Sequence, residues 1–437
     1  MIAEIASASL PRSQVDLGQK GSRGYGTDMD SEVGARIRLI REAVGLQAQD
    51  LATRVGLDPT AISKIENGKR AIKAVELTRI AEALKVSPLA LLEDNPVLSN
   101  LPLAARSAGP SIARGGAYQR LLSLSELHVV LAGAGIPTSP NLAGVPDVAG
   151  LSWLEGATRL ASWAMGELSV RLEGDQRLGA LANAIEGKFK IDVLVEAYPD
   201  DALSGAAITH SSFPLIFVNS AFPRSRSLFT LAHELGHVLV GHADDSITLD
   251  RELAGSTDSE RMANAFAAIY LMPEDYILGE IAERGRKVST LAYLTYVLGV
   301  SYESLIYRLH NLRLINAEVR DKLKAISWQQ LSSYFDNLEF SSGLSGDQIG
   351  RLQYRGAVKP AGRPPALLLR RAWDGYKKGI ISIRPIAGLM DIDPDQLLDQ
   401  IEEAGDSQSA IEEVDSSGYG EIDSTESAEE LFGGNPV

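Results

Sequence analysis

The chain has 437 residues, a formal net charge of −15 at pH 7 and no cysteine. This length accommodates two or three domains, and the lack of cysteine excludes disulfides and thiolate metal sites. The sequence contains neither a signal peptide nor an apolar run of about 18 residues. We therefore expect a cytoplasmic protein that does not span a membrane.

The negative charge is concentrated at the C-terminus. Residues 401–437 contain eleven acidic residues and no Lys or Arg, so residues 1–400 carry only −4. Because the same stretch is rich in Ser and Gly, we expect a disordered acidic tail. Residues 1–30 lack hydrophobic periodicity and are also expected to be disordered.

Residues 31–95 contain five short predicted helices separated by turns. In the central pair, Gly56 supplies a tight turn, Asp58 is placed to cap the second helix, and Pro59 is placed to begin it. This spacing predicts a helix-turn-helix whose second helix enters the major groove of DNA.

The run Ile62-Ser-Lys-Ile-Glu-Asn-Gly-Lys69 resembles the phage-repressor (XRE/Cro) class of helix-turn-helix domains. The resemblance implies a homodimer on double-stranded operator DNA. The positions that it assigns to DNA are Thr60, Ser63 and Lys64 for base edges and Asn67 and Lys69 for the phosphate backbone.

Two positions depart from that class. Ala48 stands where the class often has Gln, and Pro59 has no N–H to donate to DNA. Residues 31–94 contain ten basic and nine acidic residues, so non-specific DNA affinity should be weak and sensitive to salt. The alternative is a helical interaction domain that does not bind DNA.

The next region combines a linker, helices and strands. Residues 96–117 are rich in Pro, Ala, Ser and Gly and are expected to be a linker, and residues 118–181 have a helical pattern. We interpret His128, on an apolar face, as a core histidine rather than a ligand. Two β-rich runs, Ile191–Glu196 and Leu215–Asn219, predict strands of a small sheet.

The run Phe229-Thr-Leu-Ala-His-Glu-Leu-Gly-His237 has apolar residues at helical spacing, which predicts a buried helix. His233 and His237 are four residues apart, so they share one face of this helix and could bind the same Zn²⁺ ion. Glu234 lies beside them and is the expected general base rather than a ligand. The alternative is a core helix whose histidines are hydrogen-bonded to neighbouring groups.

A catalytic zinc site needs a third protein ligand and one open position. His242 follows His237 by five residues, which turns it away from the ligand face. We prefer Glu260, on a second amphipathic helix, although Thr257-x-x-Glu260 also fits a capping box. Asn264, one turn after Glu260, is expected to orient a metal-binding histidine.

Together with Ile216-x-Val218-Asn219 and Leu271-Met-Pro273, these motifs resemble the ImmA/IrrE metallopeptidases over about residues 180–315. The resemblance implies a zincin fold of the gluzincin type and a regulatory role in which a partner repressor is cleaved. The site that it implies has His233, His237 and Glu260 as zinc ligands and Glu234 as base.

The predicted fold class is mainly α, of α+β type, with three ordered parts and a disordered tail. A helix-turn-helix domain (31–95) is joined by the linker to a metallopeptidase domain with a small β-sheet (118–320). A helical region (321–400) with a basic cluster and the acidic tail (401–437) follow. The basic cluster could contact either nucleic acid or the tail.

The resulting hypothesis is a DNA-binding regulator whose zinc endopeptidase domain cleaves a regulatory protein, either a partner repressor or a copy of itself. One alternative is a switch that uses the zincin fold as a non-catalytic sensor or partner-binding domain. Another is a component of a toxin–antitoxin pair. The sequence of His233-Glu-x-x-His237 favours the enzyme, because a sensor does not need Glu234.

Overall fold

The computed structural model of the protein describes residues 25–92, 115–138, 140–170, 176–199, 203–209, 213–241, 247–250, 257–326 and 362–401. These residues are mainly helical and contain a four-stranded β-sheet, which confirms the predicted mainly α class with a small sheet. In these ranges no helix is both long and apolar enough to cross a membrane. Residues 402–437 of the predicted acidic tail and most of the predicted linker lie outside the described residues.

The N-terminal region is built from short helices joined by tight turns. Gly56, at φ +69°, ends the second helix, and the Asp58 carboxylate accepts a hydrogen bond from the Thr60 amide at 2.8 Å. Pro59 opens the third helix, as predicted. The helices of this region are α1 (Tyr25–Ala43), α2 (Ala48–Val55), α3 (Pro59–Glu66), α4 (Ala74–Leu84) and α5 (Pro88–Leu92).

A buried ion pair joins α1 to α3. Arg41 donates to both carboxylate oxygens of Glu66, at 2.7 and 3.0 Å, and to the main-chain oxygen of Leu46 at 2.8 Å. Both partners are buried, so removing either one would leave an uncompensated charge in the core. The pair therefore fixes the position of α3 within the domain.

The N-terminal region packs against α6 (Gly116–Gly133). The Ser87 amide, in the loop before α5, donates to the Glu126 carboxylate on α6 at 3.2 Å. Burial raises the pKa of Glu126. Leu46 and Lys85 line a cavity of about 410 Å³ together with Gln119 of α6. The α1–α2 turn and the α4–α5 loop thus contribute to this interface.

The sheet has the strand order β1-β3-β2-β4. β1 runs parallel to β3, and β2 runs antiparallel to both of its neighbours. The two predicted strands correspond to β1 and β3, whereas β2 and β4 were not predicted. The strands are β1 (Asp192–Glu196), β2 (Gly205–Ile208), β3 (Leu215–Asn219) and β4 (Ile247–Asp250).

The sheet is covered on both faces, because side chains alternate along each strand. One face packs against α8 (Arg177–Phe189) and α9 (Arg224–Val240), and the other packs against α6. The first face carries Val193, Val195, Ile216 and Val218, and the second carries Leu194, Leu215 and Phe217. Burial on both sides explains why β1 and β3 are continuous apolar runs.

The remaining helices surround α9. α7 (Trp153–Leu168) and α9 both pack against α10 (Asp258–Leu271). The helices that follow α10 are α11 (Glu274–Arg284), α12 (Val288–Leu298), α13 (Tyr302–Asn311) and α14 (Ala317–Lys324). Ser301 caps α13 by accepting a hydrogen bond from the Ser304 amide at 3.1 Å.

A C-terminal segment is joined to the outer edge of β1. The main chain of Arg363 exchanges two hydrogen bonds with Val195, at 2.8 and 3.0 Å. Two buried carboxylates then accept hydrogen bonds from main-chain amides in the first turn of α15 (Ala366–Lys377). Glu186 accepts from the Ala366 amide and Asp192 accepts from the Leu368 amide, each at 2.9 Å. Helix α16 (Ile383–Met390) and helical residues 394–401 complete this segment.

Burial raises the pKa of Asp192 from 3.8 to about 7. The folded state therefore binds a proton that the unfolded state releases, and this contribution to stability is complete below about pH 4 and lost as the pH rises through 7. We predict that Asp192→Asn, which keeps an acceptor for the Leu368 amide, loses less thermal stability than the wild type between pH 5 and pH 8.

Thermal melting of both proteins at the two pH values measures this difference. Asp374→Asn, an exposed aspartate on α15, is the matched control and should follow the wild type. Equal pH dependence in Asp192→Asn and the wild type would contradict the raised pKa.

Candidate metal centre and DNA-binding surface

His233 and His237 lie on the buried face of α9, four residues apart. The side chain of His233 is fully buried and that of His237 is almost so. Their Nε2 atoms are 3.1 Å apart, and the two rings are nearly perpendicular. Two ring nitrogens at this separation are well placed to bind one cation between them.

Glu260 brings a carboxylate to the same point from the first turn of α10. Its Oε2 lies 3.4 Å from His233 Nε2, and its Oε1 lies 3.2 Å from His237 Nε2. Hydrogen bonding to the two histidines holds the pKa of Glu260 well below its ordinary range. A carboxylate and two imidazoles are a donor set that divalent zinc accepts in catalytic sites, so the residues present fit a metal ion.

Among the residues that the structure describes, these three form the single group of three or more potential ligands whose donor atoms lie within 4.8 Å of one another. Asp258, the other acid in the first turn of α10, is exposed and pairs with Arg261 at 3.2 Å. His242 lies outside the described residues. The geometry therefore selects Glu260 as the candidate third ligand.

The capping alternative for Glu260 concerns its main chain rather than its carboxylate. The Thr257 hydroxyl accepts a hydrogen bond from the Glu260 amide at 3.2 Å and so caps α10. The carboxylate of Glu260 meanwhile faces the histidines. The cap and the proposed metal site can consequently coexist.

Glu234 is fully buried on α9, beside the two histidines in sequence. Its carboxylate and the methyl group of Thr230 both lie close to the main chain of β2 at Gly205. Asn264 lies one turn after Glu260 on α10 and is half-buried. Neither Gly205 nor Thr230 was predicted from the sequence. A glycine within a strand is a signal of close approach, but the sequence pattern did not predict β2 itself.

The residues predicted to contact DNA lie on or directly after α3 and are all exposed: Thr60, Ser63, Lys64, Asn67 and Lys69. The Thr60 hydroxyl donates to the Asp58 carboxylate at 2.6 Å, and the Asn67 side chain donates to the Ser63 main-chain oxygen at 2.6 Å. These contacts order both ends of the helix. Because all five side chains are exposed in the whole chain, this surface remains accessible while the domain is packed against α6.

The fold and the site together define a protein that joins a helix-turn-helix domain to a metalloprotease-like domain. Residues 186–310 match the family described as IrrE N-terminal-like domain (Peptidase_M78), and residues 37–91 match the family described as Helix-turn-helix (HTH_3). The chain thus carries an IrrE-like Peptidase_M78 domain behind an XRE-type helix-turn-helix domain.

Two curated proteins resemble these parts. The radiation response metalloprotease IrrE of Deinococcus radiodurans is 35% identical over 103 residues, which are 22% of this chain and 30% of that protein. The HTH-type transcriptional repressor RghR of Bacillus subtilis is 43% identical over 54 residues, which are 12% of this chain and 40% of that protein. The chain therefore spans less than half the length of either relative.

A solved structure, the apo form of the competence regulator ComR from Streptococcus vestibularis, covers 79% of this chain and 99% of its own at 12% identity. Its TM-score is 0.15. This match supports no conclusion about fold or function.

We predict that Glu260→Ala weakens zinc binding by more than the roughly 10- to 100-fold that loss of an outer hydrogen-bond partner costs. The reason is that the variant removes one of three converging donors. Zinc content per chain, measured by elemental analysis after dialysis against a fixed free zinc concentration, gives the result.

Asp258→Ala is the matched control, because it removes an acid from the same turn that does not face the histidines. It should retain zinc as the wild type does. Loss of zinc from Asp258→Ala with retention in Glu260→Ala would overturn the choice of third ligand.

Proposed function

We propose that this protein is a transcription regulator that binds operator DNA and carries a zinc-dependent endopeptidase, which cleaves a regulatory protein. The substrate is a partner repressor or a second copy of this chain. The observation that carries the proposal is the convergence of Glu260 on His233 and His237, with Glu234 buried on the same helix as the two histidines.

His233, His237 and Glu260 would hold the zinc ion. When bound, zinc supplies Lewis-acid chemistry, which polarises a carbonyl oxygen and acidifies water. The three side chains also exclude bulk solvent from their side of the site, because the histidines are buried and Glu260 is mostly covered. Asn264, one turn after Glu260 on α10, would orient a histidine.

Glu234 is the group that moves the proton. A carboxylate held next to the reacting atoms takes a proton from the attacking water and delivers it to the nitrogen of the leaving amine. Its location on α9, adjacent to His233, gives it a fixed position relative to the metal ligands. This role requires a carboxylate and not merely a polar side chain.

The sheet offers a surface for the substrate main chain. β4 is the last strand in the sheet order and pairs with β2, so that Asp250 stands opposite Gly205, close to Glu234. An extended substrate could pair with the outer edge of β4, since peptide segments commonly add a strand to a sheet edge. The opposite edge, β1, is bridged by Arg363.

DNA binding is assigned to α3. Thr60, Ser63 and Lys64 are exposed on this helix and would face base edges in the major groove, with a dimer reading an inverted repeat. Asn67 and Lys69 would contact the phosphate backbone. The nearly balanced charge of the domain suits a protein that relies on specific contacts more than on general attraction to DNA.

We predict that Glu234→Gln reduces cleavage by about 100-fold or more, since it removes the general base with little change in shape. Zinc content, fold and operator affinity should persist. The measurement follows full-length protein and a transcriptional reporter in cells across stress conditions, with zinc determined in the same samples. Glu283→Gln, an exposed glutamate on α11, is the control.

The same comparison separates the enzyme from a non-catalytic sensor or a toxin–antitoxin component that acts by binding. If Glu234→Gln retains zinc and still relieves repression as the wild type does, proteolysis is not the regulatory output. Loss of the response in Glu234→Gln alone supports the peptidase.

For the DNA surface, we predict that Lys64→Ala lowers discrimination at one position of each half-site by about 1–3 kcal/mol. Lys69→Ala should instead weaken binding to all DNA sequences. It should also reduce the slope of log affinity against log salt concentration by the equivalent of about one phosphate contact. Lys322→Ala on α14 makes the same charge change in another region and should have no effect. Operator titrations at several salt concentrations test all three; unchanged affinity in both α3-region variants would refute this surface.

A further inference from the structure

The sheet comes close to helix α9 at Gly205, the first residue of β2. A Cβ atom built on Gly205 would lie closer than 3.0 Å to both the Glu234 Oε1 atom and the Thr230 methyl carbon. Real Cβ atoms essentially never come so close to other heavy atoms. The main chain of β2 therefore rests directly against the carboxylate of Glu234.

Backbone conformation does not account for glycine at this position. The glycines of this chain with φ in the left-handed region include Gly56 and Gly299, and Gly205 is not among them. What Gly205 provides is space, since a side chain there would occupy the volume of the Glu234 carboxylate.

Neither the main chain of β2 nor helix α9 can move away from this contact easily. β2 is hydrogen-bonded on both sides, with Gly205 opposite Val218 of β3 and opposite Asp250 of β4. α9 is packed between the sheet and α10. Because both backbones are fixed by their neighbours, a side chain at position 205 would have to displace the side chains of Glu234 and Thr230.

We propose that Gly205 is a positioning residue for the general base, an inference that rests on the proposed peptidase function. The bare main chain of β2 limits where the Glu234 carboxylate can lie and so sets its position relative to the zinc ligands. Thr230, one turn before Glu234 on α9, closes the same space from the side.

The first test is a stability cycle that needs no substrate. Gly205→Ala should lower the melting temperature of the full chain by about 3 °C or more, because overpacking a filled core is destabilising. In a Thr230→Ser/Glu234→Ala background, where the overlapping atoms are absent, the same substitution should have a much smaller effect. Equal losses of melting temperature in both backgrounds would show that Gly205 does not constrain the Glu234 side chain.

The second test is kinetic. With zinc loaded and fluorescently labelled casein as the probe, Gly205→Ala should retain zinc and a KM close to that of the wild type, while kcat falls by about 10- to 100-fold through misplacement of the base. Gly179→Ala, on an exposed turn of α8 with open space around it, is the control and should match the wild type.

These outcomes are distinct from failure of the proposed function. Wild-type kcat in Gly205→Ala, or a fall in kcat that tracks loss of zinc, overturns the positioning role. If the zinc-loaded wild type and the Gly179→Ala control both leave casein intact, the stability cycle still decides whether Gly205 positions the Glu234 side chain.

Discussion

The two histidines and Glu260 meet where α9 contacts α10, Glu234 is buried one residue after His233, and the burial of these ionisable groups is the constraint on which the site depends. His233, His237 and Glu234 are withdrawn from solvent, and transferring such groups into an apolar core is strongly unfavourable unless they are paired or bind a metal. Glu260 offsets part of this penalty by facing both histidines with its two oxygens. That sharing leaves three donor side chains around one point, which is the arrangement that a cation completes.

The surrounding fold keeps these groups in place by covering the sheet on both faces. α9 lies on one face, whereas α6, with the helix-turn-helix region packed against it, lies on the other. The C-terminal segment further stabilises the sheet. The main chain of Arg363 pairs with β1, and the carboxylates of Glu186 and Asp192 accept hydrogen bonds from amides at the start of α15. The helix-turn-helix region and the candidate metal centre are thus linked by continuous packing through α6 and the sheet.

Local sequence signals predicted the features that depend on neighbouring residues. Gly56 and Asp58 act as turn and cap, His128 is a buried core histidine stacked on Phe213, and Glu260 meets the histidine pair. The sequence could not reveal β2, because Gly-Ala-Ala-Ile lacks β-branched or aromatic residues over most of its length. The bridge between Val195 and Arg363 was also inaccessible, since residues so distant in sequence carry no local signal of their pairing.

The central claim is that α9 and α10 build a metal centre with two imidazole ligands and one carboxylate. X-ray absorption at the zinc edge, on full-length protein loaded with one equivalent of zinc, tests it most directly. We expect nitrogen and oxygen ligands at about 2.0–2.2 Å, four in number, with the scattering pattern of two imidazoles. A zinc ion surrounded only by oxygen atoms, without imidazole scattering, would contradict the account.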